Sequence, residues 1–244
     1  MGSLLDNGKT WAPQLLHGAL LSVEITIVTM ILAVVWGLLL GILRVAHIPV
    51  VHQILIVYVE IFRGLPTIVI LFVAYFGLPS VGFTISPYAP VVGVIALTLN
   101  LGAYLSEVFR AAILAIDPGQ MRAAESIGMS RFQAYRKVVL PQALLVAVPT
   151  LGSFFVGLIK DTSLLSFISV RELLEVGNEI NAATFQSFQI YFYVGLIYIA
   201  LSIIASRLVL IIEARLRPLE RRTKRNTDEL DRALPTTSMG GAHI

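Results

Sequence analysis

The chain has no cysteine and few charged residues. None of its 244 residues is cysteine, which excludes disulfides, cysteine metal sites and thiol catalysis. Charged residues make up 14%, whereas soluble domains usually carry about 25%. Hydrophobic residues make up 57%, and the mean hydropathy is +0.83. A single soluble core of this size could not bury so much apolar surface, so the composition predicts an integral membrane protein.

Recognisable motifs for catalysis or nucleotide binding are also missing. The four histidines are scattered without metal-ligand spacing, and the sequence has no catalytic triad or acid pair. The tripeptide GKT within residues 7–10 ends like a phosphate-binding loop, but that motif needs glycine where Ser3 stands and a preceding strand. We therefore predict no catalytic residue, no metal, no cofactor and no nucleic-acid partner, and we do not expect this chain to be an enzyme.

What the chain does have is long apolar stretches. A membrane-spanning helix needs about 20 mostly apolar residues. Runs of this length indicate helices rather than a barrel, because the backbone must satisfy its own hydrogen bonds in lipid. The sequence predicts an all-α membrane protein with about five transmembrane helices, over residues 16–43, 52–78, 88–114, 142–165 and 189–212.

Lysine and arginine are concentrated in alternate connections. They are frequent in the loop 115–141 and after residue 214, while residues 77–90 have none. The positive-inside rule then predicts a cytoplasmic loop and C-terminus, and an N-terminus outside. The predicted regions are a polar N-terminus over 1–15, a transmembrane domain over 16–213, and a tail over 214–244 that is basic and then, from Asn226, disordered.

The loop 115–141 leads into a stretch that looks soluble, AAESIGMSRFQAYRKVVLPQAL. Asp117 is a candidate cap for one short helix, and Ser130 with Gln133 forms a capping box that predicts a second one. Gly128 lies between them and suits a sharp corner, because glycine takes positive φ without penalty. The loop is therefore predicted to hold two short helices joined at Gly128.

The second short helix is predicted to be amphipathic and to end at Pro141, before the chain re-enters the membrane. Phe132 and Tyr135 share one face with Val139, and the basic residues lie elsewhere. This pattern fits an amphipathic loop on anionic lipid and also a docking helix for a cytoplasmic partner. Periodicity alone does not separate the two interpretations.

The segment GQMRAAESIGMSRFQAYRKVVLPQA resembles the EAA loop of ABC importer permeases, in particular the polar amino acid uptake family. That family's pattern is Glu-Ala-Ala, three residues, Gly, then a helix ending in Leu-Pro. Arg122 replaces the leading Glu here, and Glu125 lies one turn later. Three more segments resemble the family in its order: YVEIFRGLPTIVILFVAYFGLP at 58–79, LNLGAYLSEVFRAAI at 99–113 and KDTSLLSFISVREL at 160–173.

The resemblance implies a type I ABC importer permease, located in the cell membrane of a prokaryote. Such a chain works as one half of a permease pair, identical or homologous, surrounded by membrane lipid. Its loop acts as a coupling helix in a cleft of a cytoplasmic ATP-binding subunit, which binds the ATP. An extracytoplasmic binding protein delivers the ligand. The resemblance assigns ATPase coupling to Ala123, Ala124, Glu125, Gly128, Phe132, Tyr135 and Pro141.

Ionisable residues within a span are candidates for a functional site. Glu60 and Arg63 are three residues apart in the second span, on one helical face. They either neutralise each other or contribute to a transport site. Pro66 supports the second interpretation, because it removes a backbone donor and frees the carbonyl of Phe62.

Two further polar groups are predicted in the spans. Asn100 and Glu107 share one face of the third span with Tyr104, although Glu107 can also pair with Arg110. The fourth span ends in Asp161 and two hydroxyl residues, which either bind ligand or cap a helix break. The predicted substrate-binding residues are Arg63, Asn100, Glu107, Asp161, Thr162 and Ser163.

The predicted function is the membrane subunit of an ATP-driven importer for polar amino acids. One alternative is an ABC permease for another small solute. A second, of a different class, is a secondary transporter or channel, but those proteins usually show internal repeats over more spans. The charges within the spans argue against a membrane scaffold without transport. The identity of the amino acid, and whether the permease pair is homomeric, stay open.

Overall fold

The computed structural model describes residues 2–46 and 48–233, and these residues form helices without strands. The all-α prediction is confirmed. The helices are α1 Gly2–Val45, α2 Pro49–Gly64, α3 Thr67–Ser80, α4 Ala89–Leu114, α5 Pro118–Ser126, α6 Arg131–Ile168, α7 Leu173–Thr184 and α8 Ser187–Ala233. Four of them, and the bent pair α2–α3, are long and apolar enough to cross a membrane. These five correspond to the five predicted spans.

Helices α1 and α4 form the centre of the bundle, and glycines bring them together. A Cβ added at Gly37 would lie 2.7 Å from the Cβ of Leu105, and one at Gly41 would lie 2.9 Å from the Cβ of Phe109. Any larger residue would push the two helices apart. Leu105 and Phe109 are fully buried in this contact. The α1–α4 pair therefore provides the rigid support against which α2 and α6 pack.

The second span is broken rather than kinked. Helix α2 ends at Gly64, α3 begins at Thr67, and their axes differ by 107°. Leu65 and Pro66 between them are extended, with ψ values of 140° and 136°. The predicted effect of Pro66 is thus confirmed in a stronger form, as a change of direction within the span.

The corner in the loop has the predicted geometry. Asp117 caps α5 by accepting a hydrogen bond from the backbone N–H of Gly119 at 2.6 Å. Gly128 has φ of +86°, and both hydrogen bonds of the Ser130–Gln133 capping box are present. The sequence was sufficient to predict these helix ends because the hydrogen bonds that cap each end come from neighbouring residues.

The prediction that Pro141 ends a short helix is wrong. Helix α6 runs through it without interruption from Arg131 to Ile168, so the second loop helix is the first turns of the fourth span. A π-helical turn over Tyr135–Val139 precedes the proline, and Leu140 N–H donates to the Tyr135 carbonyl five residues back. This wider turn shifts the hydrogen-bond ladder where the proline lacks a donor.

The helices also extend beyond several predicted limits. Helix α1 starts at Gly2, and Trp11 and Leu15 are buried in a cluster formed with α7 and α8. No element was predicted where α7 lies. Helix α8 continues to Ala233, past the point where the disordered tail was expected, and residues 234–244 lie outside the described residues.

Candidate functional site

Two neighbouring cavities lie between α2–α3, α4 and α6. The loop-side cavity, about 560 Å³, contains Arg63 and Glu107 and reaches Ala115 at the end of α4. The distal cavity, about 380 Å³, contains Asn100 and Asp161. Both volumes are in the range of small-molecule sites, roughly 300–1,000 Å³. Four of the six predicted substrate residues are therefore divided between two spaces, which share the rings of Tyr104 and Phe154 as lining.

Asn100 and Tyr104 satisfy the backbone at the break in the second span. The amide nitrogen of Asn100 donates to the carbonyl of Phe62 at 2.6 Å, and its oxygen accepts from the Thr67 hydroxyl at 3.2 Å. The Tyr104 hydroxyl donates to the carbonyl of Arg63 at 3.2 Å. The carbonyl that Pro66 was predicted to free thus has a partner from another helix. Asn100 lines the distal cavity, but its amide is already engaged in holding the break.

The Arg63 side chain is exposed to the loop-side cavity and is not neutralised by Glu60. Among the described residues no ion pair joins these two side chains, although both lie on α2. The Arg63 guanidinium lies instead over the Tyr104 ring, with its carbon 5.4 Å from the ring centroid. This is cation–π distance, and it leaves the charge available to an anion. The Glu60–Arg63 pairing that the neutral-pair interpretation requires is therefore not seen among the described residues.

Glu107 lies in the loop-side cavity but is held by two arginines. Its carboxylate pairs with Arg44 from the end of α1 and with Arg110 one turn along α4. The expected contact with Arg110 is present. The contact with Arg44 was not predicted, because Arg44 belongs to a different span and lies 63 residues earlier in the chain. The three charges sum to +1, and their ion pairs link α1 to α4. Both ion pairs of Glu107 are thus with arginines of the chain itself.

Asp161 is the one member of the 161–163 group that lines either of these two cavities. It lines the distal cavity from the end of the regular part of α6. The Thr162 hydroxyl is fully buried and donates to the Ile159 carbonyl at 2.8 Å, and the Ser163 hydroxyl donates to the Lys160 carbonyl at 2.6 Å. These hydroxyls satisfy carbonyls where the helix tightens to 3₁₀ geometry, and the Asp161 side chain makes no capping hydrogen bond there.

The loop presents an apolar surface that differs in part from the predicted one. Phe132 is 72% exposed, as expected for an anchor, and Ile127 is 75% exposed and was not predicted. Tyr135 is half-buried against the chain's own core, so its ring is not presented like that of Phe132. Ala123 is exposed and Ala124 buried. Ile127 could have been recognised as the apolar residue preceding the Gly128 corner.

A buried carboxylate that sequence reasoning did not single out anchors α7. Glu172 is fully buried and caps α7 by accepting from the Glu175 N–H at 2.9 Å. It also accepts from the hydroxyls of Ser22 at 3.2 Å and Tyr198 at 2.7 Å, so it joins α1, α7 and α8. Burial raises the pKa of the Glu172 carboxyl, and these donors partly offset that effect.

Residues 21–218 match the family described as the inner membrane component of binding-protein-dependent transport systems. The chain belongs to this family. It is therefore an inner-membrane, multi-pass permease subunit, and the family implies an ATP-binding subunit and further components.

Curated relatives match over most of their own length. The probable amino-acid permease protein YxeN of Bacillus subtilis is 40% identical over 195 residues, which is 80% of this chain and 87% of that protein. The glutamine transport system permease protein GlnP of Escherichia coli is 34% identical over 214 residues, or 87% of this chain and 94% of that one. The family match over residues 21–218 includes the loop 115–141 and at least part of each span.

Solved structures share the fold. A crystal structure of an amino acid ABC transporter with histidines matches with a TM-score of 0.78 and 31% identity, covering 86% of this chain and 97% of that one. An inward-facing structure of the MetNI methionine ABC transporter matches with a TM-score of 0.66 at 21% identity, covering 86% and 95%. The second likeness concerns the fold alone.

Proposed function

We propose that this chain is the membrane subunit of an ATP-driven importer of polar amino acids. The names of its relatives support this substrate class, since they include permeases for glutamine, for cystine and for amino acids in general. The proposal includes a second permease subunit, an ATP-binding subunit that holds the nucleotide, and an extracytoplasmic binding protein. It places the N-terminus outside and the C-terminus in the cytoplasm, on the charge bias of the connections.

The position of Arg63 is the observation that carries the proposal. It lies at the end of α2, beside the break in the second span, and its guanidinium faces the loop-side cavity. No side chain in the described part of the protein forms an ion pair with it. Every α-amino acid has a carboxylate, and the planar guanidinium fork suits a carboxylate in bidentate geometry. Broken helices beside a charged group are typical of transporter binding sites.

The distal cavity supplies the opposite charge. Asp161 lines it, and an amino acid's ammonium group needs such an anionic partner when it leaves water. Thr67 and Ser153 line the same cavity and add hydroxyl groups for a polar side chain. We infer that an amino acid meets Asp161 and Arg63 on one route through the subunit. Thr162 and Ser163 have no direct contact with the ligand in this proposal.

The loop is the docking element for the ATP-binding subunit in this proposal. Ile127 and Phe132 flank the Gly128 corner and expose apolar side chains. Buried apolar and aromatic anchors dominate most protein interfaces. Single cysteines at Ile127 and Phe132 should crosslink to the ATP-binding subunit, whereas a cysteine at the half-buried Tyr135 should crosslink less. Equal crosslinking at all three positions would favour a loop that lies on the lipid surface.

The substrate proposal is tested by ATP-dependent uptake of labelled amino acids into proteoliposomes that contain the assembled transporter. Arg63→Lys keeps the charge but loses the fork, so uptake should fall at least about tenfold, a loss equivalent to one strong hydrogen bond to a charged group. Arg63→Met should abolish uptake. Glu60→Gln is the matched control on the same helix and should leave uptake unchanged.

Two outcomes would contradict the proposal. Wild-type uptake by Arg63→Met would remove Arg63 from the site. Equal losses in Arg63→Met and Glu60→Gln would indicate that the two residues act as a pair, in spite of their separation in the structure. Retention of the ATP-binding subunit during purification confirms that each variant is folded.

A further inference from the structure

Tyr104 makes three contacts that meet at the boundary between the two cavities. Its ring contacts the ring of Phe154, with centroids 6.1 Å apart. The same ring lies under the Arg63 guanidinium, and its hydroxyl donates to the Arg63 carbonyl at 3.2 Å. Tyr104 and Phe154 are also the two residues that line both cavities. One side chain therefore touches the cation, the helix break and the wall between the two spaces.

We propose that the Tyr104–Phe154 ring pair is the barrier between the loop-side and distal cavities, and that Arg63 holds Tyr104 in the closed position. The second part rests on the proposed function, since it requires a ligand with a carboxylate. Phe154 comes from α6 and Tyr104 from α4, so the barrier opens when these two helices separate or when either ring rotates.

The chemistry of Arg63 links ligand arrival to the state of this barrier. A guanidinium over a ring face is attracted by the ring quadrupole. An anion attracts the guanidinium more strongly than the neutral ring does, so an anion can replace the ring as its partner. A carboxylate forms two charge-assisted hydrogen bonds with the same guanidinium. A carboxylate that binds Arg63 therefore withdraws the cation from the Tyr104 ring and removes one of the contacts that hold the ring against Phe154.

The Tyr104 hydroxyl has a separate role in the closed position. Its hydrogen bond to the Arg63 carbonyl fixes the ring to the end of α2, next to the break. Tyr104→Phe keeps the ring contact with Phe154 and loses this attachment. It should therefore leave a barrier that is present but opens more often, whereas Tyr104→Ala removes the barrier.

The chain suits a test by cysteine labelling because it contains no cysteine of its own. Ala111→Cys places a thiol in the loop-side cavity, and Gly157→Cys places one in the distal cavity, where an added Cβ meets nothing within 4 Å. Each thiol is exposed to a membrane-impermeant maleimide from one side of the membrane at a time. The protein is the assembled, nucleotide-free transporter in oriented membrane vesicles.

We expect each cysteine to be labelled from one side only when both rings are present. Tyr104→Ala and Phe154→Ala should each raise labelling from the formerly closed side at least tenfold. Phe72→Ala is the control, because Phe72 belongs to an aromatic cluster with Phe76 and Phe167 that lines neither cavity. Unchanged one-sided labelling in both ring variants, with the ATP-binding subunit retained, would overturn the barrier.

A second arm separates the barrier from the substrate proposal. Added L-glutamine or L-histidine should increase labelling from the closed side in the protein with wild-type Arg63 and leave Arg63→Met unchanged. The first arm uses no ligand, so it tests the barrier independently of the identity of the substrate. An amino-acid response that persists in Arg63→Met would overturn the link between Arg63 and the barrier. Failure of wild-type uptake would instead overturn the proposed function.

Discussion

The loop and the spans solve the same two structural problems in different ways. Each region has a helix break and a carboxylate paired with arginine. In the loop, the break at Gly128 is closed by a capping box only two to five residues away. In the spans, the break at Pro66 is closed by Asn100 and Tyr104 from another helix. Water can form hydrogen bonds with backbone groups that a break in the loop leaves unpaired, but lipid cannot. A break inside the membrane therefore needs hydrogen-bonding side chains from residues far away in the sequence.

The two ion pairs differ in the same way. Glu125 and Arg131 face each other across the loop corner at 3.6 Å, and both are exposed. The Glu107 side chain is 29% exposed and pairs with Arg44, whose side chain is 10% exposed. Exposed pairs contribute little to stability, whereas removal of one partner from a buried pair leaves a charge without compensation. Substitutions at four places, the two breaks and the two ion pairs, test this contrast.

The largest effect is expected at the buried ion pair. Glu107→Gln leaves Arg44 and Arg110 next to each other without an anion, and it should lower the free energy of unfolding by about 3 kcal/mol. The measurement is unfolding of the purified subunit in mixed detergent. Glu60→Gln is the control, since Glu60 is exposed and unpaired in the described part of the chain. Equal stability of both variants would mean that the Glu107 cluster is hydrated and resembles the loop pair.

The break in the second span should give the next largest effect. Asn100→Leu keeps the side-chain size but leaves the Phe62 carbonyl without a donor, at a cost of about 1–3 kcal/mol. Uptake should fall as well, because the end of α2 that carries Arg63 loses its attachment. Thr98→Val on the same helix is the control. The Thr98 hydroxyl is buried and has no hydrogen-bond partner among the residues that the structure describes, so its removal should be neutral or slightly stabilising.

The same contrast explains which features were predictable from sequence. The Asp117 cap, the Gly128 corner and the Ser130–Gln133 box are local, and each was predicted because its partners are neighbours in sequence. The freed carbonyl at Phe62 was predicted from Pro66. Its partner was not, because the pairing joins residues 38 positions apart and depends on how α2 packs against α4.

The errors follow from the same cause. Pro141 was expected to end a helix, but a π turn lets the helix continue, and that turn has no clear signal in the sequence. The partner of Glu107 was sought one turn along the helix at Arg110. Arg44, the second partner, lies 63 residues earlier in the chain. Tyr135 has helical spacing with Phe132, but packing on the chain's own core draws its ring away from the surface.

The loop corner should give a smaller and more local effect. Gly128 has φ of +86°, and a Cβ there would meet nothing within 4 Å, so substitution introduces backbone strain and no clash. Gly128→Val should cost about 1–2 kcal/mol at the corner. We expect loss of the co-purified ATP-binding subunit with the spans still folded. Gly128→Asn should keep the subunit, because asparagine tolerates positive φ. Full retention by Gly128→Val would make Gly128 an ordinary loop residue.

The exposed ion pair should give the smallest effect. Arg131 is 85% exposed and Glu125 42%, so solvent screens their attraction. Glu125→Gln and Arg131→Gln should each change the free energy of unfolding by less than about 0.5 kcal/mol, and added salt should reduce even that difference. A loss above about 1 kcal/mol in both variants would contradict the contrast between loop and spans.

Glu125 also lies one turn after Arg122, which replaces the family's glutamate. If Glu125 serves the docked ATP-binding subunit, ligand-stimulated ATP hydrolysis should fall in Glu125→Gln and not in Arg131→Gln. Equal hydrolysis in the two variants would restrict Glu125 to its pair with Arg131.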